Sequence, residues 1–157
     1  MPTVLIADDE VDHRDLLALA LRRLGHTVVT AGDAEEALAV LAGGEVDVAL
    51  IDVRMPGESG VELCRRLRRD LRTESLPIMM ISADVQHHQV MTALHAGADD
   101  YLAKPFSRAE LGSRLEDLMR RSPAPALRST AAARAAATAA RQTLWMKQRT
   151  VELRRTA

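Results

Sequence analysis

Cysteine, aromatic residues and long apolar runs are all scarce in this chain. Its 157 residues include one cysteine, Cys64, and one each of Trp, Tyr and Phe, an aromatic content of 2%. A single cysteine can close no internal disulfide and build no Cys-based zinc site, so a disulfide framework is excluded and a reducing cytoplasm fits. With so few aromatics the core falls to Leu, Val, Ile, Met and Ala, and stacking on bases is poorly supplied. No apolar stretch approaches the length of a membrane span. The N-terminus turns acidic at Asp8-Asp9 after a very short apolar run, the wrong pattern for a signal peptide. The expected location is cytoplasmic, without membrane insertion.

Net charge is also small, -1, but the average conceals two unlike parts. After Arg121 stand Arg128, Arg134, Arg141, Lys147, Arg149, Arg154 and Arg155 against the single acid Glu152, a balance of +6, which leaves the rest of the chain at -7. An acidic body argues against a nucleic-acid site there, because phosphate backbones are bound by clustered Lys and Arg.

What the chain does have is alternation. Short apolar runs at Val4 to Ala7, Thr27 to Ala31, Val46 to Ile51, Ile78 to Ile81 and around Tyr101-Leu102 are separated by longer segments of helical periodicity. That is how a parallel sheet with crossover helices reads in sequence. The runs are mostly continuous, as in strands buried on both faces, and the second and fifth read as edge strands. Leu17, Ala20, Leu21 and Leu24 share a helical face, followed by Gly25 as a left-handed terminator. Asp33 is a candidate N-cap for a second helix carrying Ala37, Leu38 and Leu41 and closed by Gly43-Gly44. Val61, Cys64, Leu67 and Leu71 mark a third; Val90, Ala93, Leu94 and Gly97 a fourth. Leu111, Leu115 and Leu118, capped by Ser107, mark a fifth. The expected organisation is one α/β domain over residues 1–121, a Pro/Ala linker over 122–127, and a basic Ala/Arg-rich helix over 128–157. That tail is too short to bury a core of its own. Within it Leu144, Trp145, Met146, Val151 and Leu153 form a small apolar cluster suited to a partner or to the body.

In a doubly wound sheet, ligands bind outside the carboxyl ends of the strands. Here the first strand ends in Asp8-Asp9, the third in Asp52, the fourth in Ser82 and the fifth in Lys104, which brings three carboxylates, a hydroxyl and an ammonium to one edge. Clustered carboxylates repel and raise one another's pKa unless a cation sits among them. Oxygen ligands point to Mg²⁺, which bridges readily to phosphate oxygens. Lys104 can neutralise an incoming phosphoryl group and Ser82 can donate to one of its oxygens.

These residues resemble the receiver domain of two-component response regulators. The match runs through Asp8-Asp9, Ile51-Asp52 with Met55-Pro56-Gly57 behind it, Ser82-Ala83, and Gly97-Ala98-Asp99-Asp100-Tyr101-Leu102-Ala103-Lys104-Pro105-Phe106. The resemblance implies a flavodoxin-like five-stranded parallel sheet of order 2-1-3-4-5 with five helices. It implies that Asp52 accepts a phosphoryl group from a sensor histidine kinase or a phosphotransfer protein. The domain would catalyse its own phosphorylation and dephosphorylation rather than turn over a metabolite. Asp9, Asp52 and the backbone carbonyl of Arg54 would ligate Mg²⁺, with Asp8 acting through a water. Ser82 would read out the phosphate, Tyr101 would turn inward as the aromatic switch, and Lys104 matches the invariant lysine. The Lys104-Pro105 bond would be cis. Downstream proteins, or a second copy of the chain, would meet the face of helix 4, strand 5 and helix 5. Arg54 and Asp84 occupy variable positions that tune the lifetime of the phosphorylated form, and they suggest a pair across the site.

Two rival functions follow from the same residues. An aspartate-nucleophile phosphohydrolase would also use Asp52 and Mg²⁺, but it usually carries a second Asp where this chain has Arg54. A nucleic-acid-binding tail regulated by the body has the charge but no helix-turn-helix pattern. Plainer readings cover other residues: a solvated first turn for His87-His88, core packing for Cys64 and Met79-Met80, and a half-buried edge aromatic for Tyr101.

Overall fold

The computed structural model describes residues 1–121. Five strands alternate with five helices: β1 Thr3–Ala7, α1 Val11–Arg23, β2 Thr27–Ala31, α2 Ala34–Ala42, β3 Val48–Asp52, α3 Gly60–Arg69, β4 Ile78–Ser82, α4 His87–His95, β5 Asp100–Ala103 and α5 Arg108–Arg120. All strand pairs are parallel, with the second and fifth strands at the edges as the sequence pattern predicts, and the order is β2-β1-β3-β4-β5, as the family resemblance implies. The linker and basic helix expected over 122–157 lie outside the described residues.

Each strand turns alternate side chains to opposite helical layers. Val4, Ile6, Val48, Leu50, Met79, Ile81 and Leu102 meet Leu17 and Leu21 of α1 and Leu111, Leu115 and Leu118 of α5. Leu5, Ala7, Ala49, Ile51, Ile78, Met80, Tyr101 and Ala103 meet α2, α3 and α4. Burial on both faces explains why these strands read as continuous apolar runs. Cys64, Met79 and Met80 are buried and His87 and His88 exposed, in line with their plain readings.

Helix ends follow local chemistry. Asp33 and Ser107 accept from the backbone N–H groups of Glu36 and Glu110, as expected, and Ser59 does the same for Glu62. Gly25 and Gly44 take the left-handed conformation after α1 and α2, at φ 93° and 77°.

Three expectations shift. The third strand begins at Val48 rather than Val46, because Asp47 spends its carboxylate on the N–H of Thr3 and its own N–H on the Thr3 carbonyl. Leu71 does not share the buried face of α3. The helix ends at Arg69, Asp70 adopts an extended conformation that accepts the N–H of Arg72, and Leu71 is left 84% exposed in the turn. Leu24 caps α1 from the outside and is 42% exposed.

Behind this turn a half-buried guanidinium ties three elements together. Arg68 donates to the carbonyls of Gly97 and Leu76 at 2.9 and 2.6 Å and pairs with Asp99 at 2.9 Å, while Asp99 also accepts the N–H of Ile78. The start of β4 and the approach to β5 are thereby fixed to α3.

Candidate functional site

The strand ends converge as their order requires. β1 and β3 are neighbours at the centre of the sheet, so Asp8 leaves β1 beside Asp52 at the end of β3; β4 and β5 deliver Ser82 and Lys104 from the same edge. Asp8, Asp52 and Ser82 are all buried. Both oxygens of Asp52 are engaged: Oδ1 accepts the Arg54 N–H at 2.8 Å and Oδ2 receives Lys104 Nζ at 2.8 Å. This pairing offsets the cost of burying a carboxylate. Lys104 is placed by its own N–H, which donates to the Ser82 carbonyl at 2.8 Å, and the Lys104-Pro105 bond is cis, as expected.

Asp8 is held at its carboxylate and at its carbonyl. Oδ1 accepts the Glu10 N–H at 3.0 Å, the carbonyl accepts from Arg14 Nη1 at 3.0 Å, and Oδ2 faces His13 Nδ1. Ligand atoms of Asp8, His13 and Asp52 lie within 4.8 Å of one another. Two carboxylates and an imidazole at that spacing form a donor set that fits a divalent cation. Asp9 stands apart from this trio, with its side chain exposed.

Opposite the cation donors lies a second, neutral network. Ser82 Oγ accepts the Asp84 N–H at 3.0 Å, and the Tyr101 hydroxyl donates to the Asp84 carbonyl at 2.6 Å. Tyr101 is 1% exposed, so its ring is fully inward rather than half-buried at the edge. Burial raises the pKa of its phenol, opposed by its hydrogen bond with Ser82, and the ring remains a hydrogen-bond donor. The Arg54 guanidinium, 80% exposed, meets the Asp84 carboxylate at 3.4 Å across the mouth of the site. The pair suggested by these two positions is therefore formed.

Among the predicted site residues, the structure brings together Asp8, Asp52, Lys104, Ser82, Tyr101 and Arg54, and leaves Asp9 exposed. Sequence reasoning missed His13. A search for metal-binding histidines that looks for pairs stops at His87-His88 and passes over a single one. The available signal was position: His13 falls in the first turn of the helix that starts just after the Asp8-Asp9 strand end.

The same architecture recurs in known proteins. The family model for the response regulator receiver domain matches residues 4–116. The chain is 42% identical over 119 residues to the phosphate regulon transcriptional regulatory protein PhoB of Pseudomonas aeruginosa, covering 76% of this chain and 52% of that protein. It is 43% identical over 122 residues to the transcriptional regulatory protein TcrA of Mycobacterium tuberculosis, covering 78% and 47%. The chain thus spans about half the length of these curated relatives. Among solved structures, the receiver domain of Francisella response regulator 1452 superposes with a TM-score of 0.72 at 32% identity, over 78% of this chain and all of that one. The chemotaxis protein CheY4 of Vibrio cholerae does so with a TM-score of 0.72 at 30% identity, over 75% and 98%.

Proposed function

The chain belongs to the response regulator receiver domain family of two-component phosphorelay signalling, and from that premise we propose that Asp52 is its phosphoacceptor. The observation that carries this reading is the Asp52 carboxylate itself. It is 8% exposed at the end of β3, bound at 2.8 Å to Lys104 and within ligand distance of Asp8 and His13.

The donor is a phosphohistidine on a sensor histidine kinase or a phosphotransfer protein. A carboxylate oxygen of Asp52 attacks phosphorus, the P–N bond breaks, and the imidazole leaves with its electron pair. Catalysis of such a loose transfer consists mainly of positioning and charge stabilisation. Lys104 supplies positive charge to the phosphoryl oxygens, and the Arg54 N–H holds the other carboxylate oxygen in place. Asp9, Asp52 and the Arg54 carbonyl, with Asp8 through a water, would hold Mg²⁺, which when bound neutralises phosphoryl charge. The domain in this sense promotes its own phosphorylation and dephosphorylation.

The Ser82 hydroxyl then donates to a phosphoryl oxygen, and reorienting Oγ alters the hydrogen bond it accepts from the Asp84 N–H. The backbone at Asp84 moves with it, and because that carbonyl accepts from Tyr101, the change passes to β5. The output face is the one formed by α4, β5 and α5, where a downstream protein or a second copy of the chain docks. PhoB and TcrA are named transcriptional regulators, and each is about twice as long as the matched region. For this chain the output is assigned to that face or to the basic segment 128–157, with residues 1–121 as the receiver and 122–127 as the linker. No helix among the described residues is long and apolar enough to cross a membrane, and a cytoplasmic site of action is proposed.

The test is intact-mass analysis after incubation with a small acyl phosphate donor, with and without Mg²⁺. Wild type is expected to gain one phosphoryl group in a Mg²⁺-dependent manner and Asp52→Asn to gain none. Equal labelling of both proteins rejects the assignment.

A further inference from the structure

We infer that His13 is a nitrogen ligand of the cation site and sets its preference among divalent ions, turning it from Mg²⁺ toward borderline first-row ions such as Co²⁺ and Ni²⁺. The inference rests on the reading that a cation binds at Asp52 beside Asp8, and adds a ligand to those named above and a preference for which cation the chain selects.

Three features of His13 point this way. First, its Nδ1 faces Asp8 Oδ2 and lies in the same cluster of potential ligand atoms as Asp52, all within 4.8 Å. Second, the ring is positioned before any ion arrives: His13 belongs to the first turn of α1, and its ring meets the Phe106 ring edge-on, centroids 6.4 Å apart at 73°. Its side chain is 22% exposed, so little ordering remains to be done when it binds. Third, the Lys104 ammonium contacts Asp52 on Oδ2, so Oδ1 and its backbone donor remain on another side of the carboxylate.

The chemistry separates the ions. Mg²⁺ takes oxygen ligands, keeps its waters and gains little from imidazole. Co²⁺ and Ni²⁺ accept nitrogen and carboxylate oxygen together, and bind such mixed sites more tightly than the ions before them in the first row. On ion binding, the contact between Nδ1 and Asp8 is exchanged for a bond from Nδ1 to the ion. Replacing His13 therefore affects the borderline ions much more than Mg²⁺.

The test uses the full chain and measures equilibrium binding of Mg²⁺ and Co²⁺ by calorimetry, together with the visible absorption of bound Co²⁺. The proteins are wild type, His13→Leu, His13→Gln and Asp52→Asn. His13→Gln keeps a polar group facing Asp8 without the imidazole, and guards against a simple loss of local packing. Both His13 variants are expected to lose roughly tenfold or more in Co²⁺ affinity with only a few-fold change for Mg²⁺. Their Co²⁺ spectra are expected to shift as a nitrogen ligand is lost. An unchanged ratio of Co²⁺ to Mg²⁺ affinity together with an unchanged Co²⁺ spectrum overturns the role of His13. Wild type binding neither ion, or Asp52→Asn binding both as well as wild type, overturns instead the cation site on which the inference rests.

Discussion

At the scale of single residues, the arrangement around Asp52 separates duties among neighbours. Lys104 and the Arg54 N–H hold the Asp52 carboxylate, while the Arg54 side chain reaches past it to Asp84 at 3.4 Å. That exposed pair contributes little to stability, since surface ion pairs are worth about 0–1 kcal/mol. Its place across the mouth of the site suits it to slow the approach of water to a phosphorylated Asp52. Arg54→Ala is accordingly expected to lose its phosphoryl group a few-fold faster than wild type, with unchanged unfolding stability. The decay is followed by intact mass after removal of the donor, and a slower decay in the variant contradicts the role. Strand-end residues such as Asp8, Asp52 and Lys104 were readable in sequence because a parallel sheet places every carboxyl end on one edge. The position of His13 was not, because its meaning depends on which way the first turn of α1 faces, and this is fixed only when the helix packs.

At the scale of elements, α3 is seated more closely than its sequence suggests. Gly60, its first residue, lies so near the end of β3 that a Cβ there would stand 2.0 Å from the Asp52 carbonyl oxygen and 3.0 Å from Ile51 Cγ2. Neither a backbone oxygen nor a buried strand can give way cheaply. Gly60→Ala is expected to cost on the order of 1–3 kcal/mol in urea unfolding, the range for overpacking, and to slow phosphorylation at Asp52. Gly112→Ala on α5 is the control. Its nearest neighbour is the tip of the partly exposed Leu24 at 3.3 Å, which can move aside, and the gain in helix propensity is up to about 1 kcal/mol. Equal losses in the two variants count against a specific contact between α3 and β3. Caps and terminators were legible in sequence, because Asp33, Ser107, Gly25 and Gly44 act within one turn of themselves. The end of α3 was not. Leu71 continues the apolar spacing, but Asp70 turns the chain first, and Arg68 is engaged with carbonyls far along the sequence.

At the scale of the whole molecule, the buried acid Asp100 links stability to pH. Burial raises its carboxyl above the ordinary 3.8, against the pull of Arg114 and of the Tyr101 N–H. A raised carboxyl holds its proton longer in the fold than in the unfolded chain. Its contribution to stability is therefore complete below about pH 3.8 and is lost as pH rises through the folded-state value. Asp100→Asn fixes a neutral side chain, although it also weakens the hold on Arg114 at every pH. The stability of wild type relative to this variant is expected to fall as pH rises above about 4, measured by urea unfolding at a series of pH values. A difference that stays flat, or that rises, rejects the assignment. Fold class and the edge strands were legible at this scale because alternation and double-sided burial are properties of the whole sequence, while the full strand order came with the family resemblance. The pairing of Asp100 with Arg114 across β5 and α5 was not, because it depends on where α5 lies over the sheet.

The division of each strand between its two helical layers also acts as a lock on the site. The side facing α2, α3 and α4 mixes small Ala7, Ala31, Ala49 and Ala103 with large Leu5, Ile51, Ile78, Met80 and Tyr101, whereas the other is filled without alanine by Val4, Ile6, Val48, Leu50, Met79, Ile81 and Leu102. Sliding any strand by one position would exchange these two sets and misfit both layers. Such a slide is also the smallest move that would carry Asp8, Asp52, Ser82 or Lys104 out of alignment with the others. Errors of register that would scramble the charges are thus rejected by the shape of the core, so drift in surface sequence can proceed without disturbing the chemistry at the sheet's edge.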